Sequence, residues 1–458
     1  MRTRLSVALL AVAALAGAAP ARADVVQASS TTMVQAYPSW VNGAKLTVAP
    51  FYELLSITAY DIKTPLAESL ELGLSTWGAV NAGDNPWWNG YANSGSLSGD
   101  VNLAWVRAAW LKKSIVLTLG RTTVAAGNAR MLQLDGGSVA FKLPAGFSLS
   151  GYGGAPVSAR FGGLGGYGSS NPSQGNLAFG GRAGWNLPGI LDVGISYAGV
   201  QDRGYPSRQD LAGDLRLTPL RWLSLMGYLD YSLYGKAVAS ASANALFLVS
   251  HAISVSVDYQ YTVPSLFLAA DSILSVFSNS NRNDIAANLH LALGKFGVDV
   301  GAAVLLSSAA ITAPSSPFPN PNPLVPPVPP SPTVDDNGTG WRATARGVWR
   351  PTSSTSLGAE VTYLDVPENW YVSGRIFGSL GIGRFTATAD LQDYYYGNPV
   401  NGQSNSFLAG LSLGYLIGRG WSAVVAGNAG VTPYFSSELS GMLKIAYNQT
   451  YLSREVRP

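Results

Sequence analysis

The sequence predicts an all-β protein: a transmembrane, antiparallel, up-and-down β-barrel of about 22 strands, with 18 to 20 also compatible with the pattern, and no plug domain. Strand-length runs that alternate apolar with polar or tiny residues recur from end to end. In one of them Ile253, Val255, Val257, Tyr259 and Tyr261 share a face, opposed by Ser254, Ser256, Asp258, Gln260 and Thr262. Aromatic residues gather at the ends of the apolar faces, where a lipid–water boundary would lie. Trp341, Ala343, Ala345, Gly347 and Trp349 make such a face, against Arg342, Thr344, Arg346 and Arg350. Beyond the leader no apolar stretch reaches the ~20 residues of a transmembrane helix. A closed barrel is the other structure that satisfies every backbone group in hydrocarbon.

Residues 1–23 read as a secretory signal, with a basic start at Arg2 and Arg4, an apolar stretch from Leu5 to Ala18 and Ala21-Arg22-Ala23 before the cleavage point. Removing Arg2, Arg4 and Arg22 takes the 29 basic residues to 26, equal to the 26 acidic ones. The basic balance therefore vanishes, and no nucleic-acid partner is implied. Zero cysteines exclude a disulfide framework and thiolate chemistry. His251 and His290, the two histidines, leave little for metal ligation, so no metal or cofactor is expected. With 52 Gly, 22 Tyr and 12 Trp but only 12% charged residues, the chain suits a barrel whose outer wall meets lipid better than a water-soluble surface.

From 24 to 458 the chain reads as one barrel, because alternation begins soon after the signal and leaves no room for a plug. A weak first strand is expected near 29–37 and another weak one at 236–249; the strongest is the last, Ser437 to Tyr451. Tight turns are expected at Lys112-Lys113, Pro144-Ala145-Gly146, Pro188-Gly189, Pro219, Ser250-His251, Gly294-Lys295, Pro351-Thr352, Gly381-Ile382-Gly383 and Gly418-Arg419-Gly420. Longer connections fall near 83–98, 156–175, 264–282, 309–338 and 397–404. Short periplasmic turns and long outer loops are the habit of outer-membrane barrels, so both chain ends should be periplasmic. The 309–338 connection, proline-rich from Pro314 to Pro332, cannot pair as a strand and reads as an extended outer loop. The apolar 264–282 connection, with Leu266, Phe267, Ile273 and Phe277, either packs among the outer loops or folds into the mouth as a constriction.

Two motif matches fail on context. Gly163, Gly165 and Gly168 spell a dinucleotide fingerprint, but glycine and serine continue to Gly175 where a helix would be needed. Gly410, Ser412 and Gly414 spell a nucleophile elbow, yet strand alternation runs straight through them in Ala409, Leu411, Leu413 and Tyr415. With no histidine near, no triad is suggested and no enzyme is expected. His290 reads as a polar lumen residue.

Charges carry the functional expectation. The polar faces of the clear strands hold Arg182, Arg208, Arg216, Arg342, Arg346, Arg375 and Lys444, seven positive, and Asp210, Asp214, Asp230, Asp258, Asp284, Asp299, Glu360 and Asp390, eight negative. A charge on the lipid face costs about 2–4 kcal/mol at midplane, so these should line the lumen. There they either set a transverse field across a wet pore or pair as internal ladders. Their near balance implies weak ion selectivity.

In these respects the chain resembles the porins of Gram-negative outer membranes: signal, alternating strands, aromatic belts, and a terminal strand Gly441-Met-Leu-Lys-Ile-Ala-Tyr447 like the insertion signal of such barrels. It departs from them by running on through Tyr451 to Pro458. The resemblance implies a home in outer-membrane lipid, insertion by the barrel-assembly machinery, and passive diffusion of small polar solutes through the lumen. A loop-plugged structural or adhesive barrel is the alternative. Oligomeric state is not legible, since a wall buried against neighbours reads like one facing lipid.

Overall fold

The computed structural model describes residues 25–41, 44–84, 97–124, 132–157, 176–202, 205–263, 280–309, 338–367, 369–433 and 435–452. The signal segment, the Gly163–Gly168 match and the bodies of the four longest connections lie outside them. The chain runs through β1 (Val25–Val41), β2 (Ala44–Val48), β3 (Pro50–Thr64), β4 (Ala67–Asn81), β5 (Leu97–Trp110), β6 (Ile115–Val124), β7 (Leu132–Lys142) and β8 (Phe147–Pro156). It continues as β9 (Leu177–Leu187), β10 (Leu191–Asp202), β11 (Tyr205–Leu220), β12 (Leu223–Ser232), β13 (Ala237–Leu248), β14 (Ile253–Thr262), β15 (Ser280–Leu293) and β16 (Phe296–Ala309). Last come β17 (Gly338–Thr352), β18 (Thr355–Val366), β19 (Asn369–Ile382), β20 (Phe385–Val400), β21 (Gln403–Gly418), β22 (Trp421–Thr432) and β23 (Phe435–Leu452).

Each strand pairs antiparallel with its neighbours, and the ring closes where β1 meets β23, from Val25 opposite Leu452 to Ala36 opposite Gly441. On its other edge β1 pairs with β3, from Val25 opposite Tyr60 to Val34 opposite Phe51. Among the described strands only β2 stands outside the ring, as a hairpin on the far end of β1 with Tyr37 opposite Val48. The 23 strands less β2 leave a closed barrel of 22. Closure matters because it removes the free edges that an open sheet would expose.

Val25 and Leu452 lie at the end with the short turns, as expected. Boundaries differ in detail. The first strand is longer than 29–37, and a turn at Pro65-Leu66 was not anticipated. Pro219 and Pro351 sit inside β11 and β17, not in turns; each falls where the register slips, between Leu217 and Leu220 and between Trp349 and Thr352. A proline has no N–H to give the ladder, and a slip asks for none. Gly381-Ile382 likewise ends β19, and the turn is Gly383-Arg384. The supposed loop at 397–404 is a two-residue turn at Asn401-Gly402, with φ of 47° and 79°, the left-handed pair that a tight hairpin demands. The connection placed at 264–282 ends earlier, because Ser280, Asn281 and Arg282 belong to β15.

The outward face is apolar and open: Val257, Ile285, Val300, Val361, Ile376, Leu411, Val425 and Leu443 all point away from the lumen. At the short-turn end it carries ring pairs Phe147–Trp185, Phe296–Trp349, Phe385–Tyr415 and Trp421–Tyr447, with centroids 6.4, 6.1, 4.6 and 4.8 Å apart. At the other end Trp370 bridges Tyr363 and Tyr395 at 6.4 and 5.8 Å. Two such girdles mark the two interfaces of a bilayer.

Charge is not wholly excluded from this face. Glu53 shares it with exposed Phe51 and Leu55, and its carboxylate accepts hydrogen bonds from Ser30 Oγ at 2.6 Å and Thr32 Oγ1 at 2.5 Å on β1. Arg121 and Asp135, opposite each other on β6 and β7, form a two-pronged pair at 2.7 and 2.8 Å. Both arrangements satisfy the charge locally, which is what an apolar surround requires.

Candidate functional site: the inner wall of the barrel

Directly opposed residues in a sheet point the same way, so cross-strand register carries the inner face around the ring. Asp258 lies opposite Asn244 and Ala286, His290 opposite Asp299, Asp299 opposite Arg346, Arg346 opposite Glu360, and Glu360 opposite Arg375. Asp284 faces Gln260, and Arg342 faces Ala303 and Leu364. Asp390 faces Phe377, and Lys444 faces Val424 and Met33. On the other side Arg182 lies opposite Ser196, Asp214 opposite Tyr228, Arg216 opposite Asp192, Arg208 opposite Val200, Asp210 opposite Ser232 and Asp230 opposite Ala212. All fifteen charges singled out in the sequence thus share one face, opposite the apolar girdled one.

Folding sorts them into groups that the sequence did not reveal. On β9 to β12, Arg182 holds Asp192 at 2.8 Å and Asp214 at 2.6 Å, and Arg208 holds Asp210 and, at 3.6 Å, Asp230. On β17 to β20, Arg346 approaches Glu360 at 3.9 Å and Arg375 grips Asp390 through Nε at 3.0 Å. Both arginines lie over Phe377, with guanidinium carbons 5.1 and 5.0 Å from its ring centre, two cation–π contacts on one ring. Its ring lies against Gly358, where a Cβ would come within 2.3 Å of it. On β13 to β15, Asp258 accepts hydrogen bonds from Ser256 Oγ and Asn288 Nδ2, both at 2.9 Å. Arg216, Asp284, Arg342 and Lys444 form no ion pair among the described residues.

The inner face holds more charge than the sequence reading assigned. Arg107 meets Glu71 at 3.2 Å on β5 and β4, and Asp192, Lys142 and Arg282 also point inward. Glu71 was legible from its alternation with Ser69, Gly73 and Ser75, whereas Arg282 was hidden by counting it as loop. The serine of the hydrolase-like match, Ser412, points inward and meets Thr388 Oγ1 at 2.7 Å. His290 Nδ1 lies 2.5 Å from Asp299 Oδ1, a cross-strand pair and not part of a triad.

Two stretches of the wall differ in access. Inner residues Val124, Leu134, Tyr152, Ala178 and Val200 of β6 to β10 pack into one cluster, none more than 8% exposed. Beside it the Asp210 and Asp230 side chains are only 5% and 4% exposed. Across the barrel, His290 is 51%, Asp299 47%, Arg346 46% and Asp390 40% exposed. Space for water inside the ring therefore lies against β15 to β20, and also as a cavity of about 380 Å³ against Glu71, Arg107, Thr118 and Lys142 on β4 to β7.

No protein-family model matches this chain, and no curated protein does. Among solved structures it is similar to OccAB4 of Acinetobacter baumannii, at 9% identity and a TM-score of 0.44, covering 94% of this chain and 99% of that one. It is also similar to OccK9 (OpdG) of Pseudomonas aeruginosa, at 9% identity and 0.46, covering 93% and 98%. A third is OpdK of Pseudomonas aeruginosa with vanillate, at 7% identity and 0.46, covering 93% and 99%.

Proposed function

We propose that this protein is an outer-membrane channel of a Gram-negative bacterium, exported by its signal segment, through which small polar solutes diffuse past a charge-lined wall. The observation that carries this reading is the accessibility of His290, Asp299, Arg346 and Asp390 on the inward face of a closed ring. Charges inside an apolar, lipid-facing shell stay ionised only where water reaches them or partners neutralise them. Here both hold, and the pairs leave only a weak net field along the path. Catalysis has no support, since the inward serine and histidine are tied to Thr388 and Asp299 on different strands.

The second reading, a barrel blocked by its own loops, draws support from the buried cluster around Leu134 and Ala178. Single-channel recording on purified protein in a planar bilayer separates the two. The channel reading expects discrete conductance steps in simple salt; a silent membrane with correctly inserted protein would establish the blocked barrel instead.

A further inference from the structure

The connections at the short-turn end, from Pro65-Leu66 to Arg419-Gly420, hold Lys112, Lys113, Arg221, Lys295, Arg384 and Arg419 and no aspartate or glutamate. The opposite end mixes signs, carrying Asp84, Asp365 and Lys236 alike. Lys112 and Lys113 have acidic neighbours on the adjacent hairpin, where the Lys112 backbone N–H donates to Glu68 at 2.6 Å and Lys113 lies 3.8 Å from Asp61. Arg221, Lys295, Arg384 and Arg419 are exposed, and none of them forms an ion pair among the described residues.

These four share a local pattern, an exposed aliphatic residue before the cation and a ring after it. It reads Leu220-Arg221-Trp222, Leu293-Gly294-Lys295-Phe296, Ile382-Gly383-Arg384-Phe385 and Ile417-Gly418-Arg419-Gly420-Trp421. Gly294, Gly383 and Gly420, with φ of 62°, 59° and 86°, supply the left-handed positions of tight hairpins, so each cation is held at the foot of the wall. Phe296, Phe385 and Trp421 belong to the aromatic girdle, and Trp222 stacks on outward Phe247 at 6.4 Å. Arg384 Nη1 donates to the Ile417 carbonyl of the next turn at 3.4 Å, which brings two of the units together. Each unit has hydrocarbon toward the wall and charge at the tip, as when a long basic side chain lays its stem on apolar surface and keeps its head at the interface.

We propose that this rim binds the headgroups of anionic phospholipids in the leaflet at the short-turn end, taking a net-negative lipid over a zwitterionic one. A diacyl phosphodiester answers both halves of each unit: its chains cover the aliphatic residue and the ring, and its phosphate accepts from the guanidinium or ammonium. A zwitterionic lipid brings its own cation to a site that already holds one. An acidic protein below the membrane would answer the charges but leave uncovered the aliphatic residues and rings, which point sideways from the barrel. The inference needs the barrel in lipid and is independent of whether it conducts.

The test is electron spin resonance on wild-type protein in phosphatidylcholine bilayers, with trace spin-labelled phosphatidylglycerol or phosphatidylcholine reporting the lipid immobilised at the wall. At low salt phosphatidylglycerol should be preferred at least about twofold as an average over the wall, since each rim cation favours it by about fivefold and most wall positions have none. In about 1 M salt, where the Debye length falls to about 3 Å, the preference should approach parity. Lys295→Gln with Arg384→Gln and Arg419→Gln should lose most of it at low salt, whereas Arg384→Lys with Arg419→Lys, which keeps the charge, should retain it. Heat-modifiable mobility shows whether a variant has closed; if the triple variant has not, Arg384→Gln alone should still lower the preference. Equal immobilisation of both lipids by the wild type, a preference that survives high salt, or one indifferent to the glutamine changes would overturn the proposal. If the lipids are held equally while soluble polyglutamate binds the wild type through these residues, the rim is a docking face for an acidic protein instead, and the headgroup reading fails.

Discussion

Arg342 and Arg346 sit four residues apart on the inner face of one strand, yet their surroundings differ. Arg346 leans on Phe377 and Glu360, while Arg342 is exposed and forms no ion pair among the described residues. Replacing both with glutamate should move the reversal potential under a salt gradient toward cations, because carboxylates concentrate them in a pore. Arg342→Glu alone should give the larger single shift, since the field of Arg346 is already answered by Glu360. Reversal potentials that stay at the wild-type value in a conducting variant would remove both arginines from the ion path. Outward-facing Glu53 allows a different measurement. Glu53→Leu should leave the urea midpoint in lipid unchanged or raised, as an apolar residue suits that face. Ser30→Ala with Thr32→Ala should lower stability by about 1–3 kcal/mol by stranding the carboxylate. A lowered midpoint for Glu53→Leu would show that the carboxylate has a further partner outside the barrel.

Strand β14 tests the register that gives the lumen its identity. Val255 and Ser256 are neighbours in sequence, but Val255 faces Leu289 and Phe247 on the outer wall and Ser256 faces Asn288 and Leu246 on the inner. Val255→Arg should impair insertion more than Ser256→Arg, though by less than the midplane cost of about 2–4 kcal/mol, because Val255 lies opposite Phe247, whose ring stacks on Trp222 at the short-turn end. Heat-modifiable gel mobility after folding into lipid reads the outcome, and equal damage from both would mean that the strand is turned the other way. Period-2 alternation made this face legible, because lipid and water permit no mixing of the two sets. Turn positions were less legible. Pro219 and Pro351 look like turns, but a register slip can absorb a proline, and only the pairing of both strands shows the slip. Asn401-Gly402, a strong two-residue signal, was masked by Gly397 and Pro399 beside it, which extend β20 through another slip.

For the molecule as a whole, stability comes from closure, since the first strand pairs with the last along twelve residue positions and no edge remains where unfolding can start. Unboiled samples should therefore migrate differently from boiled ones on a gel, and a far-ultraviolet spectrum dominated by helix would contradict the fold. Shortening β23 from its C-terminal side should remove that mobility difference sooner than cutting back the β1–β2 hairpin tip, which lies outside the ring. Retained mobility after loss of Asn448 to Leu452 would show that closure does not depend on that end of the seam.

The sequence by itself determined the class of fold and the two faces of its clear strands, and put the strand number at about 22 with 18 to 20 still open. These depend on a local rule, alternation against two solvents, that every strand repeats. Tertiary structure alone decided which charges meet: Arg346 with Glu360 and Phe377, Arg375 with Asp390, Arg182 between Asp192 and Asp214. It also decided that the wall around Leu134 is covered while the wall around His290 is open. The reason is geometric. Facing direction is set by neighbours along the strand, whereas contact across strands depends on register, and register accumulates every bulge and turn length between residues far apart in the chain.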